Sequence, residues 1–485
     1  MQKTWLMALG TLGFAACSGG SGNEDLQVVD GAVAGVALVT LPGADAGTAE
    51  VTFEDPSGEV LTTTAELPGD IVQLGLKAGG NYTVRATVTN DGDSETFDDV
   101  SFQAGPPPSN GPTFLQQSFD PSLACDPDGR YLVSWLGNST GVAIIDRDGN
   151  YRWSVPSASD EEQVNRVRIS RDGESLHWMF VDTDRIDDIG QIVTRPLDGG
   201  DATQTRALWG HHDFVEHPDQ TTIGWLGFDF RDIAAADVVG LPSPWQGSDP
   251  LPTASDTIYE TTIGTDGTAE TTTVINLYDD YFPDHPIVYT TERNFRLGSF
   301  LPGYHELTHG NSLALVGDTY LAMLRWVDSV VGVNRTNGEI WTLGGVYNEF
   351  TPVDGQTVDD LFLQSHFSDA WQDTDGLHML VFDNRPRPEP SRLSEYVLDI
   401  ENRTFDRVWT YQDDSHEAVL GDVRRFGIEG CDNVLVSFSG SGRLVELTRD
   451  GQVAWEVATR SGAALSRVQY LPSFDDPAAA VYPAE

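Results

Sequence analysis

Three histidine-bearing segments recur at one phase of this sequence. His211-His212-Asp213 precedes Asp219, His309-Gly310-Asn311 precedes Asp318, and His366-Phe367-Ser368 precedes Asp375. The gaps from His211, His309 and His366 to those aspartates are 8, 9 and 9 residues. Equivalent positions in successive repeats lie on one ring about a common axis, so the three imidazoles converge if each segment opens an innermost strand. Arg325, in Leu321-Ala-Met-Leu-Arg325-Trp326, falls on the next strand of the His309 unit and can join them. Two chemistries suit such a set. Three histidines can hold zinc. Alternatively, one neutral imidazole acts as a nucleophile near pH 7 while the others hold an anion. Arg325 favours the anion, because a fixed cation repels a metal. Neither a metal nor a cofactor is therefore assigned.

The elements that must position these residues are short strands. The chain has 485 residues with 49 Gly and 26 Pro, a balance that favours many turns over long helices. Asp-Gly turns at Asp128, Asp172 and Asp375 each lead into an apolar run. Units then close with a second turn and an aromatic strand, as in Ile145-Asp146-Arg-Asp-Gly-Asn-Tyr-Arg-Trp153, Val333-Asn334-Arg-Thr-Asn-Gly-Glu-Ile-Trp341 and Leu447-Thr-Arg-Asp-Gly-Gln-Val-Ala-Trp455. Six units start near 115, 163, 207, 305, 362 and 420, the third swollen by an insertion at about 229 to 300. A repeat of this size in an all-β chain predicts a six-bladed β-propeller over residues 114–485, with Trp153, Trp341 and Trp455 in its core. Residues 27–105 alternate polar and apolar, as in Tyr82, Val84, Ala86 and Val88, and predict a small immunoglobulin- or fibronectin-like β-sandwich. A Pro-rich linker, 106–113, joins the two.

Charge and leader narrow the partners. There are 75 acidic and 28 basic residues, a net charge of -47. Such a field repels nucleic acid and anionic lipid, and neither is expected to bind. Lysine occurs only at Lys3 and Lys77, so an anion site must use Arg, His or backbone N–H groups. Residues 1–17 read as a lipoprotein signal: Lys3, an apolar run from Trp5 to Phe14, then Ala15-Ala16-Cys17. Cys17 is the expected lipidation site and 18–26 a flexible tether. The protein is then an exported lipoprotein of the outer membrane, facing the periplasm or the cell surface, with a lipid anchor as its sole membrane contact. Cys125 and Cys431 stand before turns in the first and sixth units. A disulfide stapling the ring and a pair of free thiols are both open.

Several ordered pieces resemble the bacterial PAPS-independent arylsulfate sulfotransferases. They are Trp209-Gly-His211-His212-Asp213, His309-Gly-Asn311-Ser312, Leu324-Arg325, Asn337-Gly-Glu-Ile-Trp341-Thr-Leu-Gly-Gly, Gln364-Ser-His366-Phe-Ser-Asp-Ala370, and Phe382-Asp383-Asn384 with Ser391-Arg392. The resemblance spans most of 115 to 460. It implies a six-bladed propeller behind a small sandwich, and ping-pong transfer of a sulfuryl group from an aryl sulfate to a phenol through a sulfohistidine. His366 matches the nucleophile, and His309, Asn311 and Arg325 match sulfate-binding positions. Of the histidine pair, His211 is in phase with His309 and is preferred as the catalytic member. His212 remains open as a substrate contact, because a one-residue slip exchanges the faces of a strand. Two other classes stay in play: a non-catalytic cell-surface propeller that binds a ligand or partner through its channel, and a metal-dependent hydrolase.

Overall fold

The computed structural model describes residues 25–479, except 138–139, 157–161, 183–189, 242–249, 265, 289–302, 354 and 461. The expected leader, Cys17 and nearly all of the tether lie outside the described residues. Leu26, the last residue assigned to the tether, is buried in the sandwich core.

The sandwich pairs a three-stranded sheet (Gln27–Asp30, Ala37–Thr40, Ile71–Gln73) with a five-stranded one built around Gly47–Glu54 and Asn81–Asn90. Along Asn81–Asn90, Tyr82, Val84, Ala86 and Val88 are buried and the residues between them face outward. Their partners inside are Val51, Phe53, Ile71 and Leu76. The sandwich rests on the first blade of the propeller. Arg152 there gives Nη1 to Gly75 O at 3.1 Å and pairs with Glu59 at 2.8 Å, and Ala78 N donates to Tyr151 O at 2.9 Å.

Six antiparallel sheets of at least four strands each make the propeller. Their innermost strands are Ala464–Leu471, Glu162–Ile169, Gly210–Glu216, Gly310–Val316, His366–Gln372 and Asp422–Arg425, for blades 1 to 6. Each touches the next, and Asp422–Arg425 touches Ala464–Leu471, so the ring closes. The expected first unit needs one correction. The strand near 115, Phe114–Phe119, does not open blade 1; it pairs with Val453–Thr459 as the outermost strand of blade 6. Blade 1 takes its innermost strand from Ala464–Leu471, which pairs with Arg130–Leu136. Both ends of the propeller chain therefore fasten the ring. A linear repeat reads alike whichever strand closes it, which is why the sequence pattern misplaces this one strand. Cys125 and Cys431 are disulfide-bonded across the same seam, with Cα atoms 5.6 Å apart.

The repeated turn motif has a physical role between blades. Its arginine reaches back to a glutamate on the third strand of the preceding blade. Arg335 meets Glu260 at 2.7 Å, Arg449 meets Glu395 at 2.5 Å, and Arg147 meets Glu446 at 2.8 Å. Tryptophans on outer strands reach forward to the corresponding turn of the next blade. Trp409 Nε1 donates to Arg449 O at 2.8 Å, Trp455 Nε1 to Arg147 O at 2.7 Å, and Trp153 Nε1 to Leu197 O at 2.9 Å. The closing seam holds the most deeply buried of these ion pairs, with side-chain exposures of 5% for Arg147 and 0% for Glu446. Glu446 also accepts from Cys125 N and Asn433 Nδ2. Glu446→Ala leaves a buried guanidinium without its carboxylate and is expected to cost about 3–5 kcal/mol. Arg335→Ala breaks a partly exposed pair and is expected to cost about 1 kcal/mol or less. Denaturant unfolding of the two variants checks this order; equal losses contradict it.

Candidate functional site

The ends of the inner strands at one mouth of the channel are not regular. One extra residue is inserted between Val164 and Arg166 in blade 2, between Gly310 and Ser312 in blade 4, and between Phe367 and Asp369 in blade 5. Blade 3 is disrupted further: its inner strand runs from Gly210 to Phe214 while its partner moves only from Gly227 to Trp225. Such bulges re-aim side chains. Left-handed residues sit at the same level, with φ of 58° at His212, 54° at His309, 54° at Gln364 and 63° at Leu420. None is glycine, so each costs about 1–3 kcal/mol that the surrounding packing must offset.

His366 opens the inner strand of blade 5 and is 2% exposed. Its Nδ1 lies 2.7 Å from Asn384 Oδ1. Asn384 donates its own Nδ2 to Glu417 O at 2.9 Å and Leu420 O at 2.8 Å, so its Oδ1 is the acceptor. The network thus places the imidazole proton on Nδ1 and leaves the lone pair on Nε2. Burial is the largest influence on this ring, followed by the charges of Arg325 and Arg467. Together they hold its pKa well below the usual 6.5, against the opposing pull of Asn384.

His309 stands one residue before the inner strand of blade 4. Its Nδ1 meets Glu306 Oε1 at 2.7 Å and its ring packs on Trp326 at 4.6 Å. Trp326 Nε1 donates to the other oxygen of Glu306 at 3.2 Å. Arg325 follows the second strand of the same blade. It gives Nε to Gln364 O at 3.2 Å and Nη2 to Ala418 O at 2.6 Å, and lies over the Trp326 ring at 4.9 Å. His212 meets the His309 ring edge-on at 4.8 Å. Burial first, then His309, His211, His366 and Arg467, hold the His212 pKa well below the usual 6.5. His212, His309, His366 and Arg325 thus form one cluster.

His211 takes a different place from the one its phase suggests. It is 0% exposed and stacked on Phe228 at 3.7 Å, with Nδ1 2.9 Å from His212 Nδ1 and Nε2 3.2 Å from Asp256 Oδ1. It backs His212 instead of facing the channel, so the expected order of the pair is reversed. The cause is the larger bulge of blade 3, which shifts the phase that the spacing to Asp219 reports. Asn311 is committed to protein partners. Its Nδ2 donates to Ser365 O at 2.8 Å and its Oδ1 accepts from Ser312 Oγ at 3.2 Å. It ties the start of blade 4 to the residue before His366. Tyr278 and Tyr281 of the insertion are buried in packing, bonded to Thr253 Oγ1 at 2.6 Å and Thr342 Oγ1 at 3.1 Å.

The channel also holds cations that the spacing of the histidines does not reveal. Arg467, on the last inner strand, gives Nη2 to Asn311 O at 2.7 Å and Nη1 to Gly421 O at 3.0 Å. Arg166 lies between Asp213 at 3.2 Å and Asp422 at 3.4 Å. Arg168 pairs with Asp213 and Arg424 with Asp422 at 3.1 Å each, and Arg467 Nη1 lies 3.5 Å from Asp422 Oδ1. The available signal is an arginine at inward positions of otherwise apolar strands, as in Arg166-Val-Arg168 and Leu465-Ser-Arg467. Half-buried rings of Trp209, Phe230 and Tyr304 pack beside Phe228, on which His211 is stacked, and Trp326 packs on His309. Phe230 lies 4.7 Å from Trp209 and 4.8 Å from Tyr304. Among the described residues, no three His, Cys, Asp or Glu side chains are grouped as a metal ion requires. The arrangement suits an anion: imidazoles beside guanidinium groups, with the Trp326 ring against His309 and Arg325.

No known family profile matches the chain, and no curated protein matches it in sequence. Solved structures resemble it in part. A nidogen/laminin complex aligns at 9% identity over 71% of this chain and 99% of that one, with a TM-score of 0.39. Apo AztD from Citrobacter koseri aligns at 9% identity over 87% and 98%, with a TM-score of 0.31. An auxiliary nutrient binding protein from Bacteroides thetaiotaomicron aligns at 11% identity over 90% and 98%, with a TM-score of 0.35.

The lowered pKa values carry a stability prediction. His366 and His212 resist protonation when folded but titrate near 6.5 when unfolded. Below about pH 6.5 the unfolded chain gains protons that the folded chain does not. Each histidine therefore removes up to about 1.4 kcal/mol per pH unit toward acid. His366→Gln abolishes its share, so its unfolding free energy falls less steeply than that of the parent as pH is lowered. Parallel curves by urea denaturation contradict the assignment.

Proposed function

We propose that this protein transfers a sulfuryl group from an aryl sulfate to a phenol, with His366 as the covalent carrier. The observation that carries the reading is the hydrogen bond that fixes the His366 tautomer and leaves the lone pair on Nε2, on a ring that the charges of Arg325 and Arg467 reach. Nε2 attacks sulfur, the S–O bond to the aryl group breaks, and a phenolate leaves. A phenol then takes the group and Nε2 recovers its electron pair. A transferring sulfuryl group is flat and anionic at its oxygens, so positioning and charge stabilisation dominate, as in phosphoryl transfer. Arg325 and Arg467 supply fixed positive charge, and His212 and His309 supply imidazole nitrogens for oxygens or protons. The Trp326 ring, packed on His309 and under Arg325, supports an aryl substrate. The resemblance of the ordered motifs to arylsulfate sulfotransferases supports the same reaction. The disulfide supports export to an oxidising compartment, in line with the lipoprotein reading of Cys17.

Incubation with p-nitrophenyl sulfate should release p-nitrophenol in a burst and add one SO3 to the peptide carrying His366. His366→Ala should lower turnover by about 10³-fold or more. Full turnover in that variant removes the mechanism. A wild-type protein with neither turnover nor a modified histidine leaves a propeller that binds ligands through its channel.

A further inference from the structure

Behind His212 lies a chain of buried groups that sulfuryl transfer alone does not need. His212 Nδ1 is 2.9 Å from His211 Nδ1, and His211 Nε2 is 3.2 Å from Asp256 Oδ1. Those last two atoms are buried, and the contact between them is at ion-pair distance, with no hydrogen bond of good geometry to either atom among the described residues. Asp256 comes from the long third strand of blade 3, Leu251–Ile263, and is 2% exposed. Its other oxygen, Oδ2, accepts from Thr308 Oγ1 and, at 2.7 Å, from Gly310 N. Burial favours its neutral form, but His211, Thr308 and Gly310 outweigh it and hold the carboxyl below its usual range. A Cβ at position 310 would sit 2.5 Å from Asp256 Oδ1, so glycine there is what admits the carboxylate.

We propose that His212, His211 and Asp256 form a proton relay serving the His366 site, with Asp256 as its positioning residue. This rests on the sulfuryl-transfer reading. With Asp256 ionised, His211 carries its proton on Nε2, so its Nδ1 accepts the Nδ1 proton of His212. That leaves the lone pair of His212 on Nε2. When a phenol attacks the sulfur of sulfated His366, an S–O bond forms and the N–S bond breaks, its electron pair returning to His366 Nε2. The phenol proton passes to His212 Nε2, and the His212 Nδ1 proton passes to His211 Nδ1. The positive charge ends on His211 against a carboxylate. In the donor step the same protons run back toward a basic phenolate.

The electrostatics give the relay its purpose. His212 faces His309 from the loop before blade 4, His366 from blade 5 and Arg467 from blade 1. A charge held on His212 is opposed by the fixed charge of Arg467, and by His309 or His366 whenever either is protonated. Moving the charge one ring away, to the side where Asp256 stands, removes that opposition while the proton is still taken.

Asp256→Asn keeps the shape and lets its Oδ1 accept from Thr308 and Gly310. Its Nδ2 then donates to His211 Nε2, which inverts both tautomers and places a proton on His212 Nε2. Nitrogen-15 spectra of the resting protein should show His211 protonated on Nε2 and His212 on Nδ1, with both reversed in the variant. In single turnovers, the variant's sulfated enzyme should transfer to phenol about 100-fold more slowly. Loading from p-nitrophenyl sulfate, whose leaving group departs ionised, should slow far less. Pentafluorophenol, ionised before it binds, should restore much of the second step. Equal slowing of both steps, an unaltered second step, or unchanged tautomers overturns the relay. Absence of a p-nitrophenol burst in the wild type overturns the transfer reading, whereas the tautomers judge the relay separately.

Discussion

Imidazoles that stay neutral beside buried guanidinium groups are the constraint on which the centre of this protein depends. Arg166, Arg168, Arg325, Arg424 and Arg467 are each under a tenth exposed, in a chain of net charge -47. Asp213 and Asp422 pair with four of them, Arg166, Arg168, Arg424 and Arg467, deep in the channel. Arg325 donates to the carbonyls of Gln364 and Ala418, and Arg467 to those of Asn311 and Gly421 and to the Ser312 hydroxyl. The positive charge of both acts on the His366 ring. The acidic exterior does not cancel it, because surface charges are screened within about 10 Å at ordinary salt.

Holding those charges in place requires a rigid ring, and the blades are joined by more than apolar packing. The same turn that donates an arginine to the preceding blade accepts a tryptophan N–H from it at two interfaces. Inner strands are irregular at one mouth, and bulges also interrupt outer strand pairs of blades 1, 3, 5 and 6. Left-handed residues at Trp209, His212, His309 and Gln364 stand among the histidines. The insertion in blade 3 contributes in the same way. Its strand Leu251–Ile263 carries Asp256, and pairs in parallel with His305–Glu306, which hold the loop leading to His309.

Much of this was legible in sequence, and the exceptions share a cause. Strand spacing, Asp-Gly turns and closing tryptophans reveal six blades, because each is a local signal repeated along the chain. His309, His366 and Arg325 are found by phase, since their strands carry at most one extra residue. His211 and His212 exchange roles because a bulge is invisible to counting. Arg467 and Asp256 are missed for another reason: one lies on a strand that the pattern leaves without a blade, the other inside an insertion without repeat phase. Asn384 is visible in its motif, but its task appears only once two carbonyls fix the direction of its amide.

Arg467 belongs to the strand Ala464–Leu471, which follows every other blade strand along the chain. A nascent polypeptide can fold the middle blades while this strand is still unmade, yet it cannot finish the ring or supply the guanidinium beside His366. Assembly of the whole toroid and readiness of its centre are thus one event. Incomplete translation products would carry the histidines without the field that makes them useful.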